Sequence, residues 1–435
     1  MESTQFYFPI SPASALVALV TIVFLLRRAW PRLYQQKRTT KLADAIETHQ
    51  ELDLVVLKEP EVPDGWWSGR DVFELERRAL FSQTWIYLAH ISQFKKPGSY
   101  QSFDLAGYPI FLIRGKDDKI RAFHNVCRHR AYTITRKESG ASTVLGCRYH
   151  GWSYDTTGRL VKAPQFDDVP GFDKSQNNLF EIHAHTTVHG MVLVNLNSGE
   201  PEPFYENIVS AWNGFSRTSG LEVSSTWVNG QTLTGNFNWK AGMGKSQLNA
   251  FTTELSRQIS ELSNPSPVLK AVRSLMQKST RMETSLFPIT FLCSFEHTGL
   301  CLALSIFPAS EKKSSIRYDL FTRSAIGNTE SEVLSKSSYE VTEKLVRELE
   351  DHYQAILVDN GSSIEVNASI TDTRQILSRI QKHTKLEKIQ GGQILPATHK
   401  PKGSILFQQA EQLCQELDCV SGGSQNGTSS NALDW

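Results

Sequence analysis

Two short segments of the chain each carry one cysteine and one histidine. Cys127 and His129 are separated by one residue, Cys147 and His150 by two, and residues 130–146 lie between the pairs. Six cysteines in 435 residues are too few for a disulfide scaffold, whereas two thiolates and two imidazoles in paired loops are typical metal ligands. The pattern therefore predicts a metal centre held between two loops.

The order of the ligands indicates which metal binds. Zinc fingers usually take two cysteines from one arm and two histidines from the other, but here each arm supplies one of each. That order suits a [2Fe–2S] cluster in which both thiolates bind one iron and both imidazoles bind the other. Gly140, Gly146 and Gly151 allow tight turns near the sulfur atoms. A zinc site, and a chance pairing of core cysteines with surface histidines, are the alternatives.

The pattern around these loops favours a small antiparallel β domain. A helix is predicted over residues 71–82, and residues 84–197 consist of short runs rich in β-branched and aromatic residues, separated by Gly and Pro. After residue 203 we expect a helix, then strands at 285–295, 300–307 and 315–323, then a long helix. That helix has apolar residues at helical spacing: Val341, Leu345, Leu349, Tyr353 and Ile356. The predicted fold class is therefore α+β.

At these residues the sequence resembles the Rieske non-haem iron oxygenases, in particular the choline monooxygenase-like and ring-hydroxylating dioxygenase α-subunit branch. The resemblance begins near Trp67 and runs through the whole region of the cysteine–histidine loops. The segments that carry it are 73–81, 123–130, 147–155, 158–160 and 163–164, with weaker similarity at Asn238-Trp239-Lys240, near Pro396 and at 402–408.

The resemblance implies a set of cofactors and partners. Cys127 and Cys147 would bind one iron of the [2Fe–2S] cluster, and His129 and His150 the other. The cluster would take single electrons from a ferredoxin or flavin reductase that draws on NAD(P)H. It would pass them to a mononuclear Fe(II), held by two histidines and a carboxylate in a C-terminal helix-grip-like domain. The resemblance also implies a small-molecule substrate that is hydroxylated, desaturated or demethylated with O2, and a homotrimer.

One part of the family pattern is missing from this chain. In the family, Asn-Trp-Lys introduces a helix with an acidic residue and two histidines, but no histidine occurs here from Gly190 to Glu296. Asp351, on the predicted long helix, is the best candidate for the carboxylate ligand, although a solvated helix face is a simpler explanation of it. Three accounts fit the gap: a mis-spliced or mis-predicted gene product, a degenerate homologue that keeps only electron transfer, or an iron site built from unrelated residues.

The amino terminus carries an apolar segment followed by basic residues. Residues 3–26 have no charged side chain, and six basic residues occur between positions 27 and 41. A helix over residues 12–30 would be about 28 Å long, close to the roughly 30 Å of a hydrocarbon core. This predicts a single-pass membrane anchor with the soluble domains facing the cytosol. An interfacial helix and a processed segment are the alternatives.

These observations combine into one domain plan and two functional hypotheses. The plan assigns 1–50 to a membrane anchor and linker, 51–197 to a Rieske domain, 198–419 to a catalytic-type domain and 420–435 to a disordered tail. The balance of 46 Lys and Arg against 45 Asp and Glu argues against nucleic acid as a partner. The first hypothesis is a membrane-anchored oxygenase acting on a lipophilic or specialised-metabolite substrate. The second is a degenerate homologue that acts only in electron transfer or regulation.

Overall fold

A computed structural model of the protein describes residues 62–167, 169–203, 206–262, 282–295, 298–323, 326–358 and 370–397. The chain divides into two compact units, and all of these residues belong to the second, Pro60–Trp435. The predicted membrane segment at 12–30, the linker up to residue 50 and the tail at 420–435 lie outside the described residues.

The first half of the described chain is built on antiparallel sheets. A short helix, α1 (Arg70–Glu76), continues into a π-helical turn (Arg77–Phe81) before the first strand. Ten strands follow: β1 (Ile86–His90), β2 (Ser99–Leu105), β3 (Tyr108–Arg114), β4 (Ile120–His124), β5 (Ser139–Ala141), β6 (Val144–Gly146), β7 (Ser153–Asp155), β8 (Leu160–Lys162), β9 (Glu181–Thr186) and β10 (Met191–Asn195). Seven of them form one sheet in the order β1-β10-β9-β4-β3-β2-β5, and β6-β7-β8 form a second.

Local sequence explains how the larger sheet forms. Ala106 and Gly107 join β2 to β3, and both have positive φ (54° and 76°), which is the backbone geometry that matches the twist of a tight hairpin. Successive side chains of β10 belong to two different hydrophobic clusters: Val192 to one and Leu193 to the other. Because both faces of this strand are covered, its sequence is continuously apolar rather than alternating.

The second half of the described chain is a five-stranded antiparallel sheet with helices. Its elements are α2 (Glu206–Ser219), β11 (Thr226–Gly235), a 3-10 turn (Trp239–Met243), α3 (Lys245–Leu262), β12 (Met282–Leu286), β13 (Thr290–Phe295), β14 (Leu300–Ser310), β15 (Lys313–Thr322), α4 (Asn328–Val358) and α5 (Ile370–Gln390). The strand order is β11-β15-β14-β13-β12. The α+β class and the antiparallel sheets predicted from the sequence are confirmed.

The long helix packs where its apolar pattern predicts. The side chains of Val341, Leu345, Leu349, Tyr353 and Ile356 are all buried, because steps of three and four residues keep them on one helix face. This face contacts β11 and α3. The helix therefore covers the sheet and supports the segment that follows β11.

Two predicted elements differ in their boundaries. The strand predicted at 285–295 is a hairpin of β12 and β13, which turns at the Phe287–Pro288 bond; proline has no N–H to donate to a strand ladder. The helix predicted at 71–82 is α-helical only to Glu76, after which the backbone widens into the π-helical turn. Hydrophobic periodicity does not distinguish these hydrogen-bonding patterns.

The predicted membrane location is wrong for the part of the chain that the structure describes. None of the helices there is long and apolar enough to cross a bilayer. The apolar segment at 12–30, which motivated the prediction, lies outside the described residues.

Candidate metal centre

The two cysteine–histidine loops have the same backbone hydrogen bonds. In the first loop, the Cys127 N–H donates to the Tyr132 carbonyl (2.8 Å) and the Ala131 N–H donates to the Cys127 carbonyl (2.9 Å). The second loop repeats this pattern: the Cys147 N–H donates to the Trp152 carbonyl (2.7 Å) and the Gly151 N–H to the Cys147 carbonyl (2.9 Å). Each loop therefore folds back on its own cysteine and presents the histidine at its tip.

In both loops, the residue four positions after the cysteine has a left-handed backbone conformation. Ala131 and Gly151 each lie four residues after the cysteine of their loop, with φ of 53° and 70°. Glycine adopts this conformation freely, whereas alanine is strained there. Gly151 was predicted to lie in a tight turn, whereas Ala131 was not, because alanine carries no turn signal in a sequence.

The two histidines meet through their Nδ1 atoms. His129 Nδ1 lies 3.0 Å from His150 Nδ1, and the ring centroids are 4.5 Å apart. Two nitrogens bound to the same metal at about 2.1 Å each lie roughly 3 Å apart. His129 is buried, while His150 is partly exposed. The imidazole pair therefore fits one iron at the edge of the domain.

The two cysteines also meet, and both are buried. The hydrogen bond between their thiols lowers the pKa of Cys147 to about 6 and raises the pKa of Cys127. The thiolate is the form that binds metals. The four predicted ligands are thus brought together as a pair of sulfurs and a pair of nitrogens, which is the donor set of a [2Fe–2S] cluster with mixed ligands.

Aromatic side chains enclose this centre. The Trp152 ring stacks on the His129 ring with centroids 5.0 Å apart and planes 10° apart, and the Phe166 ring meets His129 edge-on at 5.2 Å. Trp152 is fully buried. On the outer side, the ring centroids of Tyr149 and His150 are 4.0 Å apart, and Tyr149 is half exposed. The His129 side is therefore closed to water, and the His150 side opens to the surface.

Tyr154 touches the sulfur side of the site. Its hydroxyl lies 3.2 Å from Cys127 Sγ and accepts the Arg128 N–H at 3.0 Å. A metal-bound thiolate has no proton, so the hydroxyl would be the donor to it. Burial raises the pKa of Tyr154, which keeps this hydroxyl protonated. This contact has no local signal in the sequence, because 27 positions separate Tyr154 from Cys127.

Both cysteine–histidine loops lie in a region that matches a known protein family. Residues 84–173 match the family model of the Rieske [2Fe-2S] domain. The chain carries a Rieske [2Fe–2S] domain. This match confirms the [2Fe–2S] cluster, which was predicted from the order of the ligands, as the domain's cofactor, and it confirms the resemblance over this region.

Relatives in other organisms share this domain. The chain is 33% identical over 137 residues to the α subunit of chlorobenzene dioxygenase from Cupriavidus sp. strain PS12, covering 31% of this chain and 30% of that one. It is 34% identical over 134 residues to the oxygenase subunit of carnitine monooxygenase from Acinetobacter pittii, covering 31% and 36%. The Rieske domain is homologous to theirs, and the match spans about a third of the length of these relatives.

Solved structures extend the similarity of fold beyond the Rieske domain. A quaternary ammonium Rieske monooxygenase aligns with a TM-score of 0.58 and 19% identity, covering 73% of this chain and 94% of that one. Naphthalene 1,2-dioxygenase from Rhodococcus sp. aligns with a TM-score of 0.53 and 18% identity, covering 68% and 82%. Both alignments cover more of this chain than residues 84–173, so the similarity of fold to these two structures extends beyond the Rieske domain.

Among the residues that the structure describes, those available for a mononuclear iron do not form a comparable site. Helix α3 follows Asn238-Trp239-Lys240, and apart from Thr252 its buried side chains are apolar: Leu248, Phe251, Leu255 and Ile259. Asp351 is exposed on α4. Within the described ranges, no three His, Cys, Asp or Glu side chains converge on one point. A [2Fe–2S] cluster does not require such a triplet, since each of its irons takes two protein ligands.

Proposed function

We propose that this protein is an oxidoreductase of the Rieske oxygenase type, which receives electrons one at a time from a ferredoxin or flavin reductase supplied by NAD(P)H. The observation that carries the proposal is the approach of His129 Nδ1 to within 3.0 Å of His150 Nδ1, inside a matched Rieske domain. Cys127 and Cys147 would hold one iron of the cluster, and His129 and His150 the other. Bound there, the cluster would supply one-electron storage at a potential above that of an all-thiolate cluster.

Residues around the cluster site suggest where electrons would enter the cluster and what would stabilise its reduced state. His150 and Tyr149 lie at the partly exposed edge, where a reductase can approach. Trp152 and Phe166 exclude water from the His129 side. The Tyr154 hydroxyl donates toward Cys127 Sγ, and such a hydrogen bond favours the extra negative charge of the reduced state.

For the whole chain we propose oxidation of a small molecule with O2, by hydroxylation, desaturation or demethylation. The names of the relatives support this, because they describe a chlorobenzene dioxygenase and a carnitine monooxygenase, and one solved neighbour is described with inter-subunit electron transfer. A homotrimer would be the corresponding assembly for this chain. The described residues do not fit a mononuclear iron, so no step through such an iron is derived.

A second candidate function is electron transfer or regulation without oxygen activation. It is favoured by α3, which carries Leu248, Phe251 and Leu255 on its inner face and no histidine at all. In this candidate the C-terminal sheet would bind a partner or ligand without oxidising it. The Rieske domain would function in the same way in both cases.

Iron stoichiometry distinguishes the two candidates. We expect purified, cluster-reconstituted protein to contain three irons per chain and to consume O2 with a ferredoxin–reductase pair and NADPH, if it is an oxygenase. Two irons per chain with no O2 consumption would contradict the oxygenase proposal and support electron transfer. His150→Ala should abolish the visible absorption of the cluster, and an unchanged spectrum would contradict the ligand assignment in both candidates.

A further inference from the structure

The C-terminal half contains a cavity of about 780 Å³. It lies between the 3-10 turn Trp239–Met243, the start of α3, the β12–β13 hairpin, β14 and α5. Its volume is in the range of small-molecule binding sites. The Rieske loops do not contribute to its lining, so it is separate from the metal centre.

One wall of the cavity is apolar. Trp239, Phe291, Leu304 and Ile306 line it and are buried, and Met243 lies beside them. Trp239 and Phe291 offer flat surfaces against which a ring or a hydrocarbon chain can pack. Binding there would remove apolar ligand surface from water, which is favourable.

Polar residues of α5 also line the cavity, and Arg379 is one of them. The Arg379 side chain is 27% exposed, and its guanidinium carbon lies 5.8 Å from the Phe287 ring centroid. Its nearest acidic group is Glu202, at 3.6 Å, which is beyond hydrogen-bond distance. Among the described residues the Arg379 guanidinium therefore makes no hydrogen bond, although it is mostly buried and has five N–H donors.

Arg379 shares its ion-pair partner Glu202 with Lys382. Lys382 Nζ lies 2.5 Å from Glu202 Oε1 and is the closer partner of that carboxylate. Arg374 and Asp372, which also line the cavity, carry opposite charges. The described charged side chains of the cavity thus leave one excess positive charge, and Arg379 makes the longer of the two contacts with Glu202.

We propose that this cavity binds an apolar small molecule that carries a carboxylate. The hydrocarbon part packs on Trp239, Phe291 and Ile306, and the carboxylate takes paired hydrogen bonds from the Arg379 guanidinium, whose planar fork matches it. That the bound acid is the substrate rests on the proposed oxygenase function. The binding itself does not, because it requires neither electrons nor O2.

Calorimetric titration of the full-length, cluster-loaded protein tests the proposal with two probes of the same shape. These are 1-naphthoate and its neutral analogue 1-naphthamide, measured without reductase. We expect naphthoate to bind at least tenfold more tightly than naphthamide. Arg379→Gln should bring the two affinities within about twofold, because it removes the charge and the fork but keeps most of the side chain. Met243→Trp should weaken both probes at least tenfold by filling the cavity.

Two matched variants control for general effects of charge. Lys385→Gln removes a positive charge from the exposed face of α5 outside the cavity, and should leave the tenfold preference unchanged. Arg379→Lys retains the charge without the fork, and should give an intermediate preference; it also serves if Arg379→Gln does not fold.

Equal affinity for the two probes, a preference unchanged in both Arg379 variants, or no binding of either probe at millimolar concentration would overturn the proposal. The result is independent of catalysis. Protein that binds naphthoate through Arg379 but holds two irons and consumes no O2 would keep this inference and lose the oxygenase function. Protein that consumes O2 but shows no carboxylate preference would do the reverse.

Discussion

At the scale of single residues, Tyr154 should affect the reduction potential of the cluster, because it contacts a sulfur ligand directly. Its hydroxyl donates toward Cys127 Sγ and is fixed by the Arg128 N–H. A hydrogen bond to a charged group contributes about 1.5–3 kcal/mol, and only the part that differs between oxidised and reduced cluster affects the potential. For a one-electron couple, 1.4 kcal/mol corresponds to about 59 mV.

We therefore expect Tyr154→Phe to lower the midpoint potential of the cluster by roughly 40–90 mV. The reduced state carries the extra electron on the cluster, so it loses more from the missing hydrogen bond than the oxidised state does. A redox titration followed by visible absorption or electron paramagnetic resonance measures the shift. Tyr339→Phe, on the exposed face of α4, is the control. An unchanged or raised potential in Tyr154→Phe would contradict the assigned hydrogen bond.

The residues of this site differ in how far sequence could predict them. Cys127, His129, Cys147 and His150 were identifiable because ligand type and spacing are local properties of two short loops. Trp152 was visible within the same motif, but its stacking on His129 depends on how two loops come together, which no local pattern records. The cavity cation Arg379 had no sequence signal, because one arginine on an amphipathic helix looks like any solvated residue.

At the scale of secondary structure elements, a buried ion pair joins α1 to the 3-10 turn before α3. Lys240 Nζ lies 2.6 Å from Glu76 Oε1, and the Trp239 indole N–H donates to Glu76 Oε2 at 2.8 Å. The side chains of Lys240 and Glu76 are 2% and 0% exposed. The segment Asn238-Trp239-Lys240 therefore anchors the start of α3 whether or not that helix supports an iron, and this explains how the fold tolerates a helix without histidines.

Breaking this ion pair should destabilise the protein strongly. We expect Lys240→Met and Glu76→Gln each to lower the free energy of unfolding by about 3–5 kcal/mol. In Lys240→Met the loss comes from the uncompensated buried charge of the remaining partner. The double variant should be at least about 2 kcal/mol more stable than the sum of the two losses implies, because it leaves no buried charge. Urea denaturation followed by circular dichroism measures these values.

The control for the ion pair is an exposed one on α4. Lys344 and Glu348 form a pair at 3.7 Å with side chains 66% and 41% exposed. Lys344→Met should change the unfolding free energy by less than about 1 kcal/mol. If the Lys240 and Glu76 single variants also fall below that value, the pair does not hold α1 to this turn as described.

At the scale of the whole molecule, Arg317 links the Rieske region to the C-terminal sheet. It extends from β15, where its Nε lies 2.9 Å from Asp319 Oδ2, and its Nη1 lies 2.9 Å from Glu138 Oε1, just before β5. Asp319 also accepts hydrogen bonds from the Gln93 amide at 2.8 Å and the Trp227 indole at 2.9 Å. Residues from both halves thus share one buried carboxylate, and stability of the two halves should be coupled through it.

Arg317→Met tests this coupling, and its effect should depend on pH. Burial raises the pKa of Asp319, and Arg317 opposes that rise, so without Arg317 the pKa of Asp319 in the folded protein is higher still. Between the unfolded value near 3.9 and this raised pKa, the folded variant binds more protons than the unfolded chain does, so its stability falls as the pH rises. We expect a loss of about 3–5 kcal/mol at about pH 8 and a smaller loss at about pH 5, because a lower pH favours the protonated, uncharged form of the buried carboxyl. Thermal and urea unfolding at both pH values measure the difference, with Arg347→Met, which removes an exposed pair with Glu343, as the control.

A loss that is equal at the two pH values would show that Arg317 contributes packing alone, and that the buried carboxylate does not couple the halves.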